Sequence, residues 1–110
     1  MTAGFREGDV TYFCVHAFDH PGRLADRTRL RETHRARLRQ HDHPVKVLIG
    51  GPLADDDGTM IGSMLVIEAR DRAAAVAYLA GDPYMRNGLY QRVEVTRFNW
   101  GLGVPEKGDG

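Results

Sequence analysis

The feature that most constrains this chain is the run from Val10 to Phe18, which is apolar on both of its faces. It holds β-branched and aromatic residues without a glycine or proline, so it reads as a β-strand. Phe13, Val15 and Ala17 project to one side, and Tyr12, Cys14 and Phe18 to the other, with His16 among the second set. Such a strand belongs to a sheet covered on both faces. At 110 residues the chain suits one domain, residues 1–110, ordered over about 10–100 with a Gly- and charge-rich tail over 101–110. A domain of this size buries only about two-thirds of its unfolded surface. A second copy is therefore the expected cover for the face that the chain's own helices do not reach.

The remaining elements follow from local signals. Asp19-His20-Pro21-Gly22 breaks the strand, and Pro21 is placed to open a helix from Arg23 to about Gln40. On that helix Leu24, Leu30, His34 and Leu38 share a stripe, with Arg27 and Arg31 in the same arc. Val45 to Gly50 reads as a second strand, closed by Gly50-Gly51-Pro52. Asp55 to Gly58 is a hairpin loop and Met60 to Ala69 a third strand. Asp71 caps a second helix, Arg72 to Ala80; Gly81-Asp82-Pro83 opens a helical turn, and Tyr90 to Phe98 is the last strand. The order β-α-β-β-α-β is the ferredoxin-like α+β plan: a four-stranded antiparallel sheet with two helices on one face. Covering the other face with a second subunit gives a dimeric α+β barrel.

Fifteen basic residues balance fifteen acidic ones. That neutrality argues against a dedicated nucleic-acid binder or a membrane-surface protein. It conceals a local excess, because seven arginines between Arg23 and Arg39 face only Asp26 and Glu32. A pocket beside this helix should prefer an anionic ligand. The single cysteine, Cys14, forms no internal disulfide, no signal peptide is visible, and no apolar run approaches the roughly 18 residues of a membrane span. The expected location is the cytoplasm.

Tyr12-Phe13 with Asp19-His20-Pro21-Gly22, then Arg27, Arg31 and His34, then Gly50-Gly51-Pro52-Leu53, Gly62-Ser63, Asp82-Pro83-Tyr84 and Gly88-Leu89 together resemble the YciI-like (YCII-related) family. The resemblance runs from about Tyr12 to Asn99. It implies the dimeric α+β barrel fold, similar to that of muconolactone isomerase. It also implies a His-Asp pair at the active site, His34 with Asp82, and at least one relative is a cofactor-free dehydrochlorinase.

His34 sits between Leu30 and Leu38 on the stripe facing the sheet, where an imidazole with a carboxylate partner can shuttle a proton. A helix histidine satisfied by a backbone carbonyl is the plainer reading, and the resemblance tips the balance toward catalysis. Asp82 precedes Pro83 and can cap a helical turn while its other oxygen orients His34. Arg27 and Arg31, one turn apart, are candidate anchors for a substrate carboxylate or phenolate, or else stems whose heads reach water. Gly51 can admit a ligand to the backbone, Ser63 can offer a hydroxyl, and Tyr12 and His16 share a face that can line the same pocket.

The sequence thus points to a cofactor-independent enzyme of proton transfer, an isomerase or lyase acting on a small anionic or aromatic molecule. The alternative is a non-catalytic ligand-binding or accessory subunit in which His34 and Asp82 lie too far apart to share a proton. A third reading, polyanion binding through the arginine-rich helix, is the least favoured. His41 and His43 lack a third metal ligand, Asp55 to Gly58 lacks the ligand pattern of a calcium loop, and Cys14 reads as core. No dinucleotide or phosphate-loop glycine motif is present.

Overall fold

The computed structural model describes residues 10–40 and 42–103. His41 of the two-histidine turn, and residues 104–110 of the tail, lie outside the described residues. The elements are β1 (Thr11–Asp19), α1 (Leu24–Leu38), β2 (Lys46–Ala54), β3 (Met60–Ala69), α2 (Arg72–Ala80), α3 (Pro83–Arg86) and β4 (Tyr90–Phe98). They build one antiparallel sheet in the order β2-β3-β1-β4, the ferredoxin-like α+β arrangement.

The two-residue period of β1 divides its side chains between the faces. Phe13 and Val15 join Leu65, Ile67 and Ala69 of β3 and Ala75, Tyr78 and Leu79 of α2 in the main core, with Val93 and Val95 of β4 packed against it. Tyr12, Cys14, His16 and Phe18 lie on the opposite face, half-buried, where Tyr12 and Phe98 meet Trp100 edge-on and His16 tilts against Phe18.

β2 runs four residues beyond the expected end at Gly50. It is an edge strand, so Pro52, which has no N–H to donate, can still pair opposite Ser63. Its register shifts fall between Val47 and Ile49 and between Leu53 and Ala54, and the glycine pair keeps its pairing. At Gly50 a Cβ would stand 2.6 Å from Leu65 Cδ2, so any side chain there would displace that core leucine.

α1 has an unusual inner stripe. Its buried residues are Arg27, Leu30 and His34, so two of the three groups turned inward are ionisable. Leu24, expected on the same stripe, is exposed. Charged side chains enter a domain interior only when paired, and the partners of these two define the site.

Candidate functional site

His34 and Asp82, 48 residues apart, meet where α1 crosses the turn that opens α3. The imidazole Nδ1 lies 2.9 Å from Asp82 Oδ1 and 2.8 Å from Oδ2, and both side chains are buried. A carboxylate can only accept, so Nδ1 carries the proton, and in the neutral tautomer of that ring the lone pair lies on Nε2. His34 borders a cleft of about 370 Å³, and its Nε2 has no hydrogen-bond partner among the described residues. Asp82 Oδ1 also accepts from the Tyr84 backbone N–H at 2.8 Å, which caps α3 ahead of Pro83. One carboxylate therefore fixes both the helical turn and the imidazole. The Tyr84 ring, fully buried, stacks on His34 at 4.0 Å and 19° and stops it from turning.

Arg27 lines the cleft, but its guanidinium does not reach water as a solvated head: Nε and Nη2 are engaged by the protein's own groups. It is 2% exposed and forms a fork with Asp19, Nε to Oδ2 at 2.7 Å and Nη2 to Oδ1 at 2.9 Å. Burial alone would lower its pKa, but the hydrogen bonds and charge of Asp19 override this and hold it above the ordinary arginine value. The guanidinium also lies 4.6 Å over the Tyr84 ring. Asp19 was not foreseen as a site residue. Its signal was a carboxylate at the end of an apolar strand, eight positions before an inward-facing arginine with no local partner.

Ser63 is buried beneath the cleft. Its hydroxyl oxygen accepts from Arg27 Nη2 and from Tyr90 Oη, each at 2.9 Å. With both lone pairs engaged, its own proton is left for an acceptor in the cleft. Burial pushes the Tyr90 phenol far above its ordinary value, the Ser63 hydrogen bond opposing only in part, so Tyr90 stays a neutral donor. Tyr84 and Tyr90 were not foreseen either, because their roles depend on contacts with α1 and β3.

The cleft lies between α1 and edge strand β2. Arg27, Arg31, His34, Gly50, Gly51 and Ser63 line it, so the candidates Arg27, Arg31, Gly51 and Ser63 are brought together with His34. A Cβ on Gly51 would meet nothing within 4 Å, so no contact explains a glycine at this position. Tyr12 and His16 are a correction. They are absent from the lining and project from the other sheet face, because Phe13, Val15 and Ala17 occupy the alternate positions toward the helices. His43 has a local role, accepting from the Val45 N–H at 3.2 Å and packing edge-on against Tyr78. Among the described residues no group of three His, Cys, Asp or Glu side chains is placed to hold a metal ion. No helix among them is long and apolar enough to cross a membrane.

The model of the YCII-related domain matches residues 11–99. The chain belongs to the YCII-related family. It is 33% identical over 93 residues to a protein of Haemophilus influenzae, covering 79% of this chain and 95% of that one. With protein YciI of Escherichia coli it shares 30% identity over 92 residues, covering 78% and 94% of the two chains. Among solved structures it resembles the 5-chloro-2-hydroxyhydroquinone dehydrochlorinase TftG of Burkholderia phenoliruptrix, in complex with 2,5-dihydroxybenzoquinone. That match has a TM-score of 0.72 and 28% identity, covering 82% of this chain and 95% of TftG. SnoaB, a cofactor-independent oxygenase of Streptomyces nogalater, shares the fold at a TM-score of 0.50 and 17% identity, covering 90% of this chain and all of that one. The neighbours are dimeric α+β barrel proteins, and the fold is of that class.

Proposed function

We propose that this YCII-related protein is an enzyme that moves protons with its own side chains, acting as an isomerase or lyase on a small anionic, ring-bearing molecule. The observation that carries the reading is the His34–Asp82 contact, 2.8 Å at its shorter distance, with the imidazole bordering the cleft. The alternative of a bare binding module expects these two side chains to lie too far apart to share a proton. The likeness to TftG supports a substrate of the hydroxylated-ring class.

In this reading Nε2 of neutral His34 removes a proton from an acidic C–H or O–H of the substrate. Asp82 stabilises the imidazolium through Nδ1–H. The electron pair left behind passes into the conjugated system, and the developing negative oxygen is met by the Ser63 hydroxyl and by Arg31. In an isomerisation the proton returns from Nε2 to a different atom. In an elimination the electron pair expels a leaving group such as chloride, and the imidazolium gives up its proton to solvent. Both routes balance without an oxidant or reductant.

The test is chloride release from 5-chloro-2-hydroxyhydroquinone, followed beside binding of 2,5-dihydroxybenzoquinone. His34→Ala should reduce turnover by about 10²–10⁴-fold, the usual contribution of a positioned acid-base group. Asp82→Asn should do so too while leaving the fold intact. Nitrogen NMR should show the Nδ1–H tautomer of His34 in the wild type and a mixture in Asp82→Asn. Turnover undiminished in His34→Ala would sink the mechanism.

The working unit in this proposal is a cytoplasmic homodimer. The second sheet face carries Tyr12, Cys14, Phe18, Met64 and Trp100, and a second copy is the cover its apolar character asks for. Sedimentation at micromolar concentration should give twice the chain mass of 12.3 kDa; a monomer would exclude it.

A further inference from the structure

The cleft extends well past the dyad, and its two walls differ in chemistry. Arg27, Arg31, Arg35 and Arg39 follow one another at four-residue intervals and all line it. Four residues on an α-helix advance about 6 Å with a drift of about 40°, so the guanidiniums form a ladder along one wall. From Arg31 to Arg39 the ladder rises about 12 Å. The facing wall is β2, where Val47, in register with Ile67, sits on the helix-covered side beside Gly50, with Leu38 of α1 at the foot; Ile49, in register with Val66, contributes its backbone.

The ladder arginines differ from the other arginines of the same helix region. Those that point elsewhere have partners: Arg23 and Arg29 share Asp26, while Arg37 donates to the Tyr78 carbonyl at 2.8 Å and lies over its ring. In the cleft only Arg27 has its charge matched by a buried carboxylate, that of Asp19. The side chains of Arg31 and Arg39 form no hydrogen bond or ion pair among the described residues. Arg35 reaches only Glu32 at 3.5 Å, and that carboxylate is 88% exposed, so water screens the contact. The acidic groups beside the cleft, Asp19 and Asp82, are engaged by Arg27 and His34. Uncompensated positive charge therefore continues beyond the dyad, toward the Arg39 end.

We infer that the cleft takes an elongated amphipathic acid carrying two anionic groups. Its reacting end lies at His34 and Ser63, its apolar or aromatic body lies against Val47 and Leu38, and a second acidic group is held by Arg35 and Arg39. The inference rests on the cleft being the active site and defines its substrate class. A cavity of about 370 Å³ exceeds what one small ring fills and lies within the range of clefts that bind larger ligands.

Two probes that differ only in the distal group test it: trans-4-carboxycinnamate, and trans-cinnamate, which lacks the second carboxylate. By calorimetric titration at low salt the wild-type protein should bind the dicarboxylate at least about tenfold more tightly. The double variant Arg35→Gln/Arg39→Gln, altered at two weakly contacted side chains, should bring the two probes within about twofold while leaving cinnamate binding unchanged. His34→Ala should keep the preference. Equal affinities in the wild type, binding of neither probe, or a preference that survives in the double variant overturns the inference. Failure of the proton-transfer reading shows instead as undiminished turnover in His34→Ala, so the two failures are distinguishable.

Discussion

Replacing Asp19 by alanine isolates what the buried Arg27 fork contributes. The Asp19 and Arg27 side chains are 6% and 2% exposed, so solvent screening removes little of the interaction. Two charge-assisted hydrogen bonds, at 2.7 and 2.9 Å, are lost together. Each contributes about 1.5–3 kcal/mol, and removing one partner of a buried pair costs about 3–5 kcal/mol because the survivor stays charged and uncompensated. Arg27 keeps Ser63 and the Tyr84 ring, which do not neutralise it. A loss of about 4 kcal/mol follows, a large part of the 5–15 kcal/mol typical of a domain and equivalent to roughly 15–30 °C in Tm. Urea denaturation at fixed protein concentration, followed by circular dichroism, measures it, with an unchanged m-value showing that the transition itself is unaltered. The double variant Asp19→Leu/Arg27→Met, which removes both charges, should recover most of the loss. A stability of Asp19→Ala within about 1 kcal/mol of wild type would refute the reasoning, as would a double variant no better than the single one.

Two further outcomes follow from the same interior. The phenols of Tyr78, Tyr84 and Tyr90 are all held above their ordinary value by burial. A raised folded-state pKa means stability that is complete below the unfolded value near 10 and lost as pH climbs above it. Stability should therefore fall above about pH 10 at up to roughly 1.4 kcal/mol per pH unit for each tyrosine. Tyr90→Phe should flatten that decline and cost about 1 kcal/mol at neutral pH for the Ser63 hydrogen bond, checked by denaturation at stepped pH. At Gly62 an added Cβ would fall 2.3 Å from the Ala17 carbonyl oxygen, so Gly62→Ala should destabilise by about 2–3 kcal/mol or more, whereas Gly51→Ala should stay within about 0.5 kcal/mol. Paired melting curves decide between these.

Where local chemistry determines structure, the sequence is readable. The third and last strands and the Asp71-capped second helix lie where turn signals and periodicity place them. β2 runs past its glycines because its position at the sheet edge, a tertiary fact, decides what Pro52 can do. The site divides along the same line. His34 on an inward stripe is a local signal, but its pairing with Asp82 spans 48 residues and was legible only through the family resemblance. The Asp19–Arg27 fork joins a strand end to the first turns of a helix, and no spacing rule announces it. Tyr12 and His16 show the opposite failing. Strand alternation alone separates them from Phe13 and Val15, and so from the helix-covered face on which the cleft opens.

The contrast between Arg27 and the arginines further along α1 bears on how such a cleft can change. Its floor is interlocked: Asp19, Arg27, Ser63 and Tyr90 form one chain of hydrogen bonds, and Asp82 ties the histidine to a helix cap. Each of these groups serves the packing and the site through the same contacts, so the floor resists drift. The rim side chains of Arg35 and Arg39 have no interior hydrogen-bond partner among the described residues, so substitution there spares the interior. A protein arranged this way can keep its proton-handling apparatus while exchanging rim charges for other groups. New ligand preferences are then reachable by single steps that never pass through an unfolded intermediate.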